Sequence, residues 1–285
     1  MHIVHTIADL RQHLGPYQHP VFVPTMGNLH DGHLALIRQA KTLGDITVAS
    51  IFVNRLQFAP HEDFDSYPRT WENDCQQLQS TGCGLLFAPT EADLYPEPQR
   101  YTMQPASELA NILEGQFRPG FFVGVCTVVL KLFSCVFAGK AVGTAVFGQK
   151  DYQQLRVIED LVRQFALPIN VVSSPTQRAA DGLALSSRNG YLSAEQRAQA
   201  VQLYQALRAL GAAVQAEPTR LAALEADAMQ ALRERGWQPD YLSVRRRADL
   251  LEPQVNAQGK LDAQPLVVLG AARLGSTRLI DNVEM

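Results

Sequence analysis

The chain has 285 residues, 46% of them hydrophobic and 19% charged, with a formal net charge of −3. That length can bury the core of one large domain or two medium ones, and the balance of apolar and charged residues describes a globular chain. The slight negative charge argues against a general nucleic-acid or anionic-membrane binder.

Residues 1–20 read as a short strand, a helix near Ile7–Leu14 and a Pro/Gly turn. Charged residues come too early here for a secretory leader. Val21-Phe22-Val23 then reads as a buried strand, and Leu34–Lys41 places Leu34, Ile37 and Ala40 at helical spacing. Between them lies Pro24-Thr-Met-Gly-Asn-Leu-His-Asp-Gly-His33, a strand-to-helix turn. In a parallel α/β sheet such a turn lies at the carboxyl ends of the strands, where ligands bind. The helix after it offers unpaired N–H groups and a positive dipole end to an anion. Gly27 and Gly32 let a ligand approach the backbone closely. His30 and His33, three apart, can present two ring N–H donors on one side of the turn. Two plainer readings stand beside this one: solvated turn histidines, or a zinc pair. The zinc pair would need further ligands, and none stands at a recognisable spacing.

Ile46–Val53 is a continuous β-branched and apolar run, the mark of a central parallel strand, and completes a βαβ unit. It empties into Asn54-Arg-Leu-Gln-Phe58, where the amides of Asn54 and Gln57 suit a small hydroxylated, carboxylated molecule. Tyr67-Pro-Arg-Thr70 leads to a helix ending near Gln79, and Gly84–Pro89 reads as a third strand of the series begun at Val21. The segment Arg118–Phe133 carries Arg118, Gly124, Thr127 and Lys131 in an apolar setting. Ala145-Val-Phe147 is a fourth strand and ends in Gly148-Gln-Lys-Asp-Tyr-Gln-Gln154. There Gly148 lets the backbone close on a nucleotide, Lys150 is a mobile cation suited to phosphate oxygens, Asp151 can cap the next helix, and Gln154 adds an amide. Ile169–Ser173 is a fifth strand. Asp181-Gly-Leu-Ala-Leu-Ser-Ser-Arg188 follows, where Ser186 and Ser187 offer hydroxyls and Arg188 a guanidinium to a polyphosphate.

After Ser193 the composition shifts to Ala/Leu/Gln-rich helices over 194–216 and 219–235, with strands at 240–244, 264–270 and 277–281. The expected fold is α/β: a Rossmann-like doubly wound parallel sheet over 1–176, followed by a smaller α+β domain over 177–285 that closes as a lid. No stretch reaches the eighteen or so apolar residues of a membrane span. Cys75, Cys83, Cys126 and Cys135 form no C-x-x-C pair, which suits a reducing cytoplasm.

The turn Pro24–His33 resembles the nucleotide signature of the pantoate–β-alanine ligase (pantothenate synthetase) family, within the nucleotidyltransferase-like α/β group. Three further stretches fit that family in order: Asn54–Phe58 with Tyr67–Thr70, Arg118–Leu132, and Gly148–Asp151 with Ser186–Arg188. The chain departs from the pattern at Arg55, where proline is usual, at Phe121 for histidine, at Val123, at Gln149 for glutamate, and in a longer 136–144 stretch.

The resemblance implies ATP-dependent condensation of (R)-pantoate with β-alanine through a pantoyl-adenylate, with Mg²⁺ accompanying ATP and a homodimer as the assembly. It implies that His33, His30 and Lys150 act in catalysis. The nucleotide would lie against Met26, Gly27, Asn28, Leu29, His30, Asp31, Gly32 and His33, against Gly148, Gln149, Lys150 and Asp151, and against Gln177, Leu185, Ser186, Ser187 and Arg188. Pantoate would meet Gln57, Gln154, Asn54 and Arg118, and no residue is expected to ligate a metal directly. Two rival functions are a related nucleotidyltransferase with a phosphorylated acceptor and a catalytically weakened nucleotide-binding protein. A redox Rossmann enzyme and a Walker-type nucleotidase lack their glycine motifs.

Overall fold

The computed structural model describes residues 1–60, 62, 64–261 and 264–285. The chain runs β1 (His2–Val4), α1 (Ile7–Leu14), β2 (Pro20–Thr25), α2 (Asp31–Ala40), β3 (Ile46–Ile51), α3 (Trp71–Thr81), β4 (Leu85–Phe87) and three short helical turns α4 (Glu91–Leu94), α5 (Ser107–Ala110) and α6 (Glu114–Phe117). It continues through α7 (Phe121–Val136), β5 (Gly143–Gly148), α8 (Tyr152–Gln164), β6 (Ile169–Ser174), α9 (Ala194–Gln199), α10 (Val201–Ala216), α11 (Leu221–Glu234), β7 (Trp237–Arg246), β8 (Leu266–Leu274) and β9 (Thr277–Glu284). It divides into two compact units. The first comprises 1–149 and 154–175, and the second 150–153 and 176–285.

The first unit is built on a six-stranded sheet of order β1-β4-β3-β2-β5-β6, every pair parallel. Alternation along each strand gives the sheet two apolar faces. Phe22, Val48, Leu85, Phe87, Ala145 and Phe147 face a core completed by Leu10 and Leu14 of α1, Val129 and Phe133 of α7, and Leu155 and Ile158 of α8. Val21, Val23, Ala49, Leu86 and Val146 face the other, completed by Leu36 and Ile37 of α2 and Leu78 of α3. Helices on both faces explain why the central strands are mostly apolar on both sides. Strand order runs β2, β3, β4 in one direction and β5, β6 in the other, so the order reverses between β2 and β5. Ligands of doubly wound sheets bind at the carboxyl ends flanking such a reversal. Here those ends are Thr25 and Gly148, the roots of two of the motifs.

The second unit holds an antiparallel sheet β7-β8-β9. Leu203, Leu207, Leu210 and Val214, one stripe of α10, pack with Leu242, Val244, Val268 and Leu279 of the sheet. Gly270 of β8 leaves room for Leu207; a Cβ there would stand 2.8 Å from it. Among the described residues no helix is long and apolar enough to cross a membrane.

Three details depart from the sequence reading. The 118–133 stretch, assigned no element, is largely the helix α7, whose sixteen residues exceed any ordinary strand and whose β-branched content masks that. The 194–216 helix is two, α9 and α10, with Ala200 at the join. The longer 136–144 stretch gains a role: Lys140 donates to the carbonyls of Leu14 and Tyr17 at 2.8 and 2.6 Å, satisfying the carboxyl end of α1.

Candidate active site

The turn at the carboxyl end of β2 is fixed by three devices. Thr25 Oγ1 donates to the carbonyl of Ser50 on β3 at 2.6 Å and accepts from the N–H of Gly27 at 3.2 Å. Gly27 has φ +81°, and Asn28 takes φ +50°, so the chain reverses in the left-handed region. A Cβ on Gly27 would meet Asp74 Oδ2 at 3.0 Å and Ile51 at 3.1 Å. Asp74, only 1% exposed on the first turn of α3, accepts the N–H groups of Asn28 at 2.9 Å and Leu29 at 2.8 Å and the hydroxyl of Thr70 at 3.0 Å. Leu29 is thereby turned into the core, so its side chain is withdrawn from any ligand.

Beyond the turn, a histidine capping box starts α2. His30 Nδ1 accepts from the N–H of Gly32 at 3.1 Å, and His33 Nδ1 accepts from the N–H of His30 at 3.4 Å. The rings lie 4.1 Å apart. A nitrogen that accepts carries no proton in a neutral imidazole, so this box places the ring proton of both histidines on Nε2. Two neutral donors thus stand beside the positive end of α2, with Asp31 exposed and Gly32 without a side chain at its first turn.

Gln57 belongs to a short 3-10 turn after β3. Its Nε2 donates to Met26 Sδ at 3.2 Å and its Oε1 accepts from Asn54 Nδ2 at 3.1 Å. Asn54, 1% exposed, also donates to the carbonyl of Gly124 at 3.2 Å and accepts from the Tyr95 hydroxyl at 3.3 Å. Its amide is therefore engaged at both ends. Gly124 lets α7 close on this turn: a Cβ there would lie 2.2 Å from the carbonyl oxygen of Leu56. Arg118 forms a fork with Glu62, at 2.6 and 2.9 Å, and donates to the carbonyl of Gln57 at 3.4 Å. Its guanidinium stacks on Phe121, 3.7 Å from the ring centre, so this phenylalanine serves as its platform. Arg55, the substitute for proline, points outward over Phe64 and toward Glu91, leaving the Asn54–Gln57 contact intact.

Gly148 and Gln149 close the β5 end of the first unit, and Gln154 stands half-buried in α8. The second unit gathers Lys150, Asp151, Gln177, Leu185, Ser186, Ser187 and Arg188. Leu185 N–H donates to Gln177 O at 2.9 Å, and Arg178 pairs with Ala184, so 177–185 is a narrow loop closed at its neck. Ser186 caps the 3-10 turn Ser187–Tyr191 by accepting from Arg188 N–H at 3.3 Å. Lys150, Ser186 and Asp281 line one small cavity. Gln177 and Asp151 are exposed. Three residues of this machinery escaped the sequence reading: Asp74, Asp281 and Asn282. Asp74 stands four residues after Thr70, the end of the Tyr67–Thr70 motif, and one of two acidic residues in a helical first turn, beside Glu72, gave no sign of its burial.

The comparisons agree with this geometry. Residues 2–284 match the family model described as pantoate-beta-alanine ligase. The chain is 66% identical to the pantothenate synthetase of Verminephrobacter eiseniae over 284 residues and 63% identical to that of Paracidovorax citrulli over 285, covering 100% of both chains in each case. The crystal structure of pantothenate synthetase from Thermus thermophilus superposes with a TM-score of 0.88 at 43% identity, over 100% of this chain and 99% of that one. The pantoate-beta-alanine ligase of Francisella tularensis, solved with β,γ-ATP and β-alanine, superposes at 0.80 with 34% identity, over 100% of this chain and 97% of that one. A signature turn at the reversal of a doubly wound sheet, an amide platform beside it and full-length identity of this degree converge: the chain belongs to the pantoate–β-alanine ligase family.

Proposed function

We infer that this chain joins (R)-pantoate to β-alanine at the expense of ATP by the following division of labour. Pantoate's carboxylate is ionised at neutral pH, so its attack on the α-phosphorus needs no base. It needs alignment and a sink for charge on the phosphate oxygens. The carboxylate oxygen forms the new P–O bond while the bond to pyrophosphate breaks. The amine of β-alanine then attacks the acyl carbon of the pantoyl-adenylate, AMP leaves with the bonding pair, and the ammonium proton passes to solvent.

His30 and His33 donate through Nε2 to the phosphates, each such donor being worth roughly 3 kcal/mol of transition-state stabilisation. The capping box carries this reading, because it fixes the tautomer before any ligand arrives. The backbone of Met26–Asp31 and of Gly148–Gln149 lies along the nucleotide, which Asp151, Gln177 and Leu185 also contact. Lys150, Ser186, Ser187 and Arg188 neutralise the polyphosphate. Gln57 and Gln154 orient pantoate. Asn54 and Arg118, both already engaged with protein groups, hold Gln57 and its turn in place. Mg²⁺ arrives as part of the nucleotide substrate, held by its phosphate oxygens. A cytoplasmic homodimer completes the reading.

Pantoate-dependent exchange of labelled pyrophosphate into ATP tests it. Exchange is expected with ATP and pantoate alone, before β-alanine is added. Exchange that needs a phosphorylated acceptor, or that ignores pantoate, would overturn the assignment.

A further inference from the structure

The last strand carries polar side chains on both faces. Asp281 and Asn282 are each 5% exposed, although successive strand residues point to opposite sides. Each therefore meets different neighbours. Asp281 takes a fork from Arg178 at 2.7 and 2.8 Å, across 103 positions of sequence. Arg178 also donates to the carbonyls of Gly182 and Asn282 at 3.0 Å each, and stacks on Tyr204. On the other face, Asn282 Nδ2 donates to the main-chain carbonyl of Lys150 at 2.9 Å, across 132 positions. Two residues on, Glu284 accepts from the Tyr152 hydroxyl at 3.1 Å and pairs with Arg247 at 2.7 Å, and Arg247 donates to the same hydroxyl at 3.3 Å. A buried amide is costly unless its partner is fixed.

We propose that Asn282 is a positioning residue for Lys150. It fixes the main chain from which the ammonium extends. The Arg178–Asp281 fork ties the neck of the loop leading to Ser186 to the same strand. β9 is thus the common mount of Lys150 and the Ser186–Arg188 segment. The inference rests on the phosphate-binding role given to Lys150 above.

The test is a double-mutant cycle in pantoate-dependent pyrophosphate exchange on the full chain, with N282A, N282D, K150A and N282A/K150A. N282D keeps the side-chain volume without the donor, and serves should N282A fail to fold. Losing the bond is expected to slow exchange about tenfold with the KM for pantoate unchanged, and N282A is expected to cost nothing further once Lys150 is gone. Wild-type rates in both Asn282 variants, with K150A slow, would overturn this inference and leave the ligase reading intact. Equal slowing by N282A with and without Lys150 would do the same, since a merely structural role predicts it. A K150A enzyme at wild-type rate would remove Lys150 from the reaction and the inference with it.

Discussion

The two groups of residues proposed to hold the phosphates are held by different means. The signature turn is shaped from within: its capping box spans four residues, its glycine and Asn28 supply the reversal, and one buried carboxylate from α3 finishes it. Lys150 and the 177–188 loop, besides the loop's own local bonds, are tied from outside by side chains of β9 more than a hundred positions from the residues they hold. A locally held turn keeps its geometry when a single distant contact is lost. A segment mounted on a remote strand does not, and its ordering depends on the second unit being folded.

The largest expected effect breaks the remote mount. Asp281→Ala leaves the Arg178 guanidinium without its carboxylate in a site where that guanidinium is 20% and Asp281 4% exposed by side chain. Removing one partner of a pair this enclosed costs about 3–5 kcal/mol. Denaturant unfolding of the full chain is the measurement. A loss below about 1 kcal/mol, the range of exposed pairs, would mean that the fork contributes little and that the contrast between the two regions is overdrawn.

The local turn is expected to behave in the reverse way. His33→Ala removes one acceptor of the capping box, worth about 1 kcal/mol of stability, but should slow adenylation by about a hundredfold or more. Parallel thermal melts and pyrophosphate exchange separate the two. An unchanged exchange rate would strike His33 from the mechanism.

That contrast also explains what could be read from the residues alone. The sheet was legible because parallel central strands are largely apolar, and the turn at 24–33 because most of what shapes it, apart from Asp74 and the carbonyl of Ser50, lies inside it. The presence of Lys150, Ser186 and Arg188 was legible as chemistry, and their mounting was not: nothing near Lys150 announces Asn282. The grouping of 150–153 with the second unit had no local sign for the same reason. Asn54 and Arg118 were read as ligand-facing from their polarity. Their protein partners Gly124, Tyr95 and Glu62, all remote in sequence, had no local sign.

A smaller effect sharpens the role of the amide platform. Gln57→Ala should weaken pantoate about tenfold, the worth of a hydrogen bond or two, while leaving ATP affinity unchanged. Titration of each ligand by calorimetry decides it. Equal weakening of both would place Gln57 on shared scaffolding.

Both units also use a carboxylate to receive backbone N–H groups, Asp74 in the first and Glu225 in the second, and Glu225 provides the smallest and most specific test. Glu225 of α11 accepts from Val244 N–H at 2.7 Å and from the Ser243 hydroxyl at 3.1 Å on β7. Burial raises its carboxyl above the ordinary 4.5, more than those hydrogen bonds and the charge of Arg245 lower it, with Glu252 adding to the rise. The folded chain therefore holds this proton at pH values where the unfolded chain has released it. Between those two points the folded state binds more protons, so this group makes stability fall as pH rises from 4.5 through the folded value, and level off above it. Glu225→Gln keeps the acceptor oxygen and cannot titrate. It should remove that slope while changing stability below it by less than about 1 kcal/mol. Unfolding measured across this pH range in both proteins decides the point: an identical slope in the variant would mean that Glu225 titrates alike in the folded and unfolded chains, its bonds to β7 balancing its burial.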